Sequence, residues 1–331
     1  GAHESLRPLN RGFDEFFGFL TGGHRYFPDE WTLADISEVK SQWDAYRTRL
    51  LDNDQRVDEK EYLTDALSRE AVDFAERNTD TPFFLYLAYN APHGPLQATE
   101  KYLSRFDHIE DPKRKTYAAM VSSVDDGVGL LLDKLEELGE LDNTMVIFLS
   151  DNGGPTKVNG SRNTPLRDGK GSLYEGGIRV PFAMMWKSEI NEPLVYNKPV
   201  SSLDIAATLV AHAGAEPLNP LDGVDLVPFV TGNKGGSPHE ALFWRKFDNK
   251  EYAIRKGDLK LVNYRNSKNA LFDLSEDISE KNEWFDNGII EEFLKDKNDW
   301  ESEMKDPVFM GLGQGESYDR KHPDRFDVEP Y

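Results

Sequence analysis

The chain has 331 residues, with 39 Lys and Arg against 60 Asp and Glu, a net charge of −21. A field of that sign repels nucleic acid and anionic membrane surfaces at long range, and excludes both as partners of the surface at large. Cysteine is absent, which rules out disulfides, zinc–thiolate sites and a thiol nucleophile within these residues.

The length leaves room for a core and fits one large domain, or one large and one small. No run approaches the roughly 18 apolar residues of a membrane span. Residues 1–30 are rich in Gly and Phe without a sustained period, which predicts a loop-rich segment packing its aromatics on a larger body. Residues 31–60 are polar and charged, and read as an exposed excursion. Leu63, Leu67, Ala71, Phe74 and Ala75 then recur at helical spacing. "FFLYLAY" at 83–89, just after Pro82, has the length and composition of a strand. "NAPHGPLQA" at 90–98 is a loop by its prolines and glycine. A second helix is predicted over about 115–138. Its apolar stripe is Ala118, Val121, Val124, Val128, Leu131, Leu132, Leu135 and Leu138, and Gly139 suits its stop. Strands follow at 145–149 and 179–186, then a helix at 201–214.

Helix and strand alternating through short connections predict an α/β fold, with a mostly parallel central sheet flanked by helices. Continuous apolar strands fit a sheet covered on both faces. After about Gly232 the pattern changes to alternating segments at 240–247, 251–264 and 269–274, with turns at Asp248-Asn249 and Lys256-Gly257. These predict a small C-terminal antiparallel subdomain, so the expected division is 1–232 and 233–331. A helix at about 289–304 would pack on that sheet through Ile289, Ile290, Phe293, Leu294 and Trp300. The charged, Pro- and Gly-containing tail at 305–331 reads as a surface wrap.

Chemistry concentrates at predicted strand ends. Ligands of open parallel sheets sit outside the carboxyl ends of the strands. There "TMVIFLSDNGG" runs into Asp151 and Asn152. A carboxylate and an amide oxygen are hard donors suited to Ca²⁺ or Mg²⁺, and calcium takes about six to eight of them. An Asn-Gly turn would explain the same residues. His93 follows the other predicted strand, where imidazole can donate to an anionic oxygen or act as acid or base. A proline-flanked loop histidine is also commonly structural. "NTPLRDGKGSLYEGGIRVPF" at 163–182 sets Arg167, Lys170 and Arg179 among glycines. It fails the P-loop spacing but can expose an ammonium and backbone N–H groups to an anion. A flexible basic loop is the plainer account. His24 and Arg25 are weaker candidates for reaching substrate, and Asn159-Gly160-Ser161 matches a glycosylation acceptor that chance also supplies. A hard cation, a Lys and a His converging would bind a dense oxyanion such as sulfate or phosphate.

"SDNGG", "APHGP" and "PLRDGKGSLYEGGIRVP" together resemble the formylglycine-dependent sulfatase family. "GFDEFFGF", "YAAMVSSVDDGVG", "DGVDLVPFVTG", "YAIRKGDLKLV" and "LFDLSED" extend the similarity over nearly the whole chain. The resemblance implies an alkaline-phosphatase-like fold and hydrolysis of sulfate esters. It also implies Ca²⁺ and an aldehyde hydrate, formylglycine, made from Cys or Ser. Asp151 and Asn152 would be calcium ligands. His93 would hydrogen-bond the sulfate or help the leaving oxygen, and Lys170 would stabilise the sulfate charge. Arg179 would brace the loop. A sulfated sugar, polysaccharide or aryl sulfate is the implied substrate, and export to periplasm, medium or lysosome is the implied address.

The family's C-x-P-S-R or S-x-P-S-R motif, its early aspartate pair and its G-K-W-H-L-G stretch do not occur. The expectation is that the sequence begins after the catalytic N-terminal segment. The formylglycine would then lie upstream, and open strand edges with an exposed apolar face would remain. Two rival readings stand beside this one. A phosphatase or phosphodiesterase of the same fold would use two zinc ions, but "DNG" at 151–153, where such relatives resemble "DHG", favours an oxygen-ligated ion. A non-catalytic binder of sulfated glycan would keep His93 and Lys170 and turn nothing over. Variable loops build pocket walls, and 31–60 and 305–331 are the candidates here.

Overall fold

Two helices with small residues on their facing sides build the first part of the chain. The computed structural model describes residues 3–307, apart from 35, 42, 191, 218 and 265–267. The chain divides into two compact units, the first made of 1–146, 155–161 and 186–188, the second of the remainder.

In the first unit the helix Leu63–Arg77 packs against the helix Pro112–Glu137. Asp111 caps the longer helix, its carboxylate accepting from the Lys113 N–H, and Pro112 sits at the first position, where its missing donor does no harm. The buried line on this helix is Ala119, Ser123 and Gly127, spaced by four, with Met120 and Leu135. The expected stripe is therefore displaced. Val121 is exposed, whereas Val124, Val128, Leu131, Leu132 and Leu138 are half-buried. A side chain on Gly127 would meet Ser68 Oγ at 2.1 Å and the Tyr89 hydroxyl at 2.5 Å, so a glycine is what lets the helices approach.

Residues 1–30 are loop-rich as expected, but 31–60 is not a wholly exposed excursion. Trp31, Tyr46, Leu50 and Leu51 are buried, and two-residue strands at Phe17–Gly18, Leu51–Asp52 and Gln55–Arg56 form a small antiparallel sheet. Tyr26, Tyr62 and Tyr102 join Trp31 and Leu63 in one core.

Residues 83–89 form no strand. Burial nonetheless alternates residue by residue along this segment, with Phe84 57% and Tyr86 70% exposed. The apolar and aromatic composition specified an extended segment. It could not specify a ladder partner, and no described residue supplies one.

In the second unit the strands Val146–Leu149 and Phe182–Met185 pair, the former entering from the first unit with its first residue. Phe148 is 46% exposed, so this pair is not covered on both faces by the described residues. The helix Leu203–His212 follows. The strands Leu242–Lys246, Glu251–Lys256, Leu259–Asn263 and Ala270–Asp273 then form an antiparallel meander in chain order. The predicted segment 251–264 is two of these strands, joined at Gly257, whose φ of +59° suits a residue without a Cβ. One sheet face, carrying Ile254, Leu261 and Leu271, packs on the helix Asn287–Ser302 through Ile290 and Phe293. The other, carrying Ala253, Val262, Ala270 and Phe272, packs on Leu173 and Tyr174. No helix among the described residues is long and apolar enough to cross a membrane. The tail expected at 305–331 lies, beyond Pro307, outside the described residues.

Candidate functional site

The second unit holds the strand-end pair and the glycine loop. After Leu149 the chain turns through Asp151 and Asn152 into two glycines. Gly153 donates its N–H to the Gly177 carbonyl at 3.0 Å, and a Cβ on it would lie 1.7 Å from the Gly176 carbonyl oxygen. Gly169 is equally tight, its missing Cβ 2.2 Å from the Gly154 oxygen. The Asn163 carboxamide fastens the two turns together. It accepts from Gly154 N–H at 3.1 Å and donates to the carbonyls of Gly154 and Asp168, each at 2.8 Å. Sequence reasoning passed over Asn163. Its only signal was an amide among turn residues beside the loop glycines.

Within this fixed backbone three groups stand unpartnered among the described residues. Lys170 is exposed, with no carboxylate or carbonyl on its ammonium. Asp151 is exposed and its carboxylate meets no donor. Asn152 donates through Nδ2 to the Gly153 carbonyl at 3.1 Å, which leaves Oδ1 without a donor. The other loop cations are exposed too, but each has partners. Arg167 lies 3.8 Å over the Tyr174 ring and donates to the Glu280 carbonyl at 2.6 Å. Arg179 lies 3.6 Å from the Glu175 carboxylate, the bracing position expected of it.

A hard-cation site is supported in donor type but not in number. Asp151 and Asn152 supply at most three side-chain oxygens, against about six to eight for calcium. No group of three or more His, Cys, Asp or Glu gathers among the described residues. A carboxylate and a carboxamide oxygen are the ligand types that calcium takes.

His93, His24 and Arg25 belong to the first unit. The His93 turn is fixed by its own N–H on the Asn90 carbonyl at 2.7 Å and by the Tyr26 hydroxyl on the His93 carbonyl at 2.7 Å. Its Nδ1 lies 2.8 Å from the Gly94 carbonyl, so this nitrogen carries a proton and donates. Nε2 has no partner among the described residues. That nitrogen can take a proton when the ring is neutral, and can donate one when the ring is cationic.

His24 does not present its ring to solvent, contrary to expectation. It is fully buried, with Nδ1 2.9 Å from the Arg25 carbonyl and Nε2 2.7 Å from the Thr48 carbonyl. Phe19 and Trp31 pack on its ring. Burial drives its pKa below the usual histidine value, against the upward pull of the two carbonyls. The ring serves as a brace for 21–27. Arg25 pairs with Glu30, which in turn accepts from Gln97 at 2.5 Å, while its side chain stays partly exposed. The glycosylation match is also overturned. Asn159 is buried and its Oδ1 accepts from Ser161 N–H at 3.0 Å, so its amide is not presented to a transferase.

The sulfatase family model matches residues 2–215, and the model described as N-sulphoglucosamine sulphohydrolase, C-terminal, matches 168–305. The uncharacterized sulfatase YdeN of Escherichia coli (strain K12) is 36% identical over 73% of this chain and 40% of its own. Human N-acetylgalactosamine-6-sulfatase is 30% identical over 69% of this chain and 44% of its own. The chain thus spans less than half the length of these curated relatives. A crystal structure of Ps i-CgsB in complex with k-i-k-neocarrahexaose superposes with a TM-score of 0.88 at 36% identity, over 99% of this chain and 75% of that one.

Proposed function

The chain belongs to the sulfatase family, and from that premise we propose that it carries part of the active site of a hydrolase acting on sulfate esters of a sulfated sugar or polysaccharide. The observation that carries the reading is Lys170. It is a bare ammonium on a backbone locked by Asn163 and the glycines, in the same unit as the bare Asp151 carboxylate. Lys170 would neutralise charge building on the sulfate oxygens as the ester S–O bond breaks. His93, in its cationic form, would donate from Nε2 to a sulfate oxygen or to the departing alkoxide. Its Nδ1–H on the Gly94 carbonyl keeps the ring oriented for either. Asp151 and the Asn152 carboxamide oxygen would contribute two ligands to a Ca²⁺ ion, the remainder coming from elsewhere. Bound calcium would draw charge from the sulfate, and a formylglycine made from Cys or Ser would supply the attacking oxygen.

The substrate class rests on the relatives. One is named for N-acetylgalactosamine 6-sulfate chemistry, and another binds a neocarrahexaose. An exported protein fits such a substrate. The test is sulfate release by the longest natural chain containing these residues, assayed on N-acetylgalactosamine 6-sulfate, carrageenan oligosaccharides and an aryl sulfate. Release from a sugar sulfate, slowed about 10²–10³-fold but still measurable in Lys170→Ala, supports the proposal. Release from none of the three, with zinc-dependent hydrolysis of a phosphate ester, would replace it with the phosphatase reading. Tight sulfated-glycan binding without turnover would replace it with the binder.

A further inference from the structure

The loop that carries Lys170 is tied to the antiparallel sheet by buried charge. Arg255 and Lys260 face each other directly across neighbouring strands, on the sheet face that meets the loop. Two cations in register repel unless a carboxylate lies between them. Glu175 from the loop fills that position, with Oε1 2.8 Å from Lys260 Nζ and Oε2 3.4 Å from Arg255. Glu280 completes the group. Its Oε1 lies 2.8 Å from Lys260 Nζ, and its Oε2 accepts from the Glu175 N–H at 2.6 Å. Lys260 and Glu280 are 0% exposed and Glu175 is 1% exposed. A lysine without solvent on a sheet face shared with Val262, Ala253 and Phe272 has no place there except as a partner for these carboxylates.

The connection from Glu175 to Lys170 is short and continuous. Glu175 is followed by Gly176, whose N–H donates to the Arg167 carbonyl at 2.8 Å. Arg167 is held in turn by the Glu280 carbonyl and the Tyr174 ring. Ser172 N–H donates to the Gly169 carbonyl at 2.9 Å, closing the turn on which Lys170 stands. Both ends of the turn are thereby fixed to one buried ion group.

We infer that Lys260 and Glu280 are positioning residues that hold the 163–179 loop so that the Lys170 ammonium stays fixed for an anionic substrate group. The inference rests on the proposed role of Lys170, but the anchoring itself has a readout independent of catalysis. Amide hydrogen exchange of the longest natural chain should show segment 169–177 exchanging at least tenfold faster in Lys260→Met, with the helix Leu63–Arg77 unchanged. Lys260→Arg, whose fork can span two carboxylates, should restore most of the protection. If Lys260→Met does not fold, Glu280→Ala carries the same measurement, because it leaves Lys260 paired with Glu175. Unchanged exchange at 169–177 in a folded variant would overturn the anchor.

The link to Lys170 is tested by a double-mutant cycle on aryl sulfate turnover. Lys260→Met should lower kcat/KM at least tenfold in the native background and less than threefold in Lys170→Ala. Equal losses in both backgrounds would overturn the positioning role while leaving the proposed hydrolase intact. A native chain that releases no sulfate at all would remove the proposed hydrolase instead, and the exchange result would still decide the anchor.

Discussion

Lys260 illustrates what a single buried charge requires. Removing it leaves Glu175 and Glu280 facing each other without water, and truncating one partner of a buried ion group typically costs about 3–5 kcal/mol. Lys260→Met should lose stability on that scale in urea denaturation. Glu280→Gln should lose far less, because it keeps an acceptor for the Glu175 N–H and removes a carboxylate whose pKa burial has raised. The opposite direction of shift appears at His24. Its folded pKa is depressed below the ordinary 6.5 by burial, so the unfolded chain binds this proton more readily than the folded one. Stability from this residue is therefore fully present above about 6.5 and declines as pH falls through the unfolded value toward the folded one, with a slope approaching about 1.4 kcal/mol per pH unit. His24→Gln should flatten the stability profile over that window. A native profile with the same slope as the variant would show that the imidazole is not held neutral.

At the scale of elements, the long helix Pro112–Glu137 separates what periodicity can reveal from what it cannot. Its existence and ends follow from Asp111-Pro112 and Gly139, which act locally. Its contact line did not follow, because a hydrophobic stripe is drawn through large residues, whereas the close approach at Ser68 selects Ala119, Ser123 and Gly127. Two glycines two residues apart on this helix, opposite in surroundings, test this. Gly127→Ala should destabilise by about 1–3 kcal/mol through overpacking, less the ~1 kcal/mol that alanine returns in helix propensity. Gly129→Ala, with nothing within 4 Å of its missing Cβ, should stabilise by up to about 1 kcal/mol. Denaturant midpoints of the two variants moving the same way would contradict the packing. The strand expected at 83–89 failed for a related reason. The apolar run 83–89 has strand composition, but pairing depends on another strand that no local pattern names. The C-terminal meander was legible because each of its turns is local and its alternating faces both find cover.

Across the whole molecule, the candidate residues were legible as separate points and the contacts that hold them were not. Asp151, Asn152 and His93 could be singled out because each is a reactive type after an apolar run, and Lys170 because it is a cation set among glycines. Lys260 and Glu280 could not, because their importance comes from partners distant in sequence, 105 residues apart for Glu175 and Glu280, and Asn163 could not, because its partners are backbone groups of Gly154 and Asp168 that no side-chain pattern marks. The metal expectation is tested at this same scale. A calcium shell needs about six to eight oxygens, and a dissociation constant near 10⁻³ M already marks the weak end of dedicated protein sites. Among the described residues, Asp151 and the Asn152 carboxamide give at most three such oxygens, with a single carboxylate charge. Calorimetric titration of this chain should therefore find calcium binding weaker than about 10⁻³ M, abolished by Asp151→Ala. It should find no turnover of an aryl sulfate, since neither nucleophile motif occurs in these residues. The longest natural chain, if it adds further carboxylates to the same pair, should bind at least tenfold more tightly and lose that gain in Asp151→Ala. Micromolar calcium affinity in the 331-residue chain would mean that its own residues complete the shell. Equal affinity in both chains, insensitive to Asp151, would remove this strand end from the metal site.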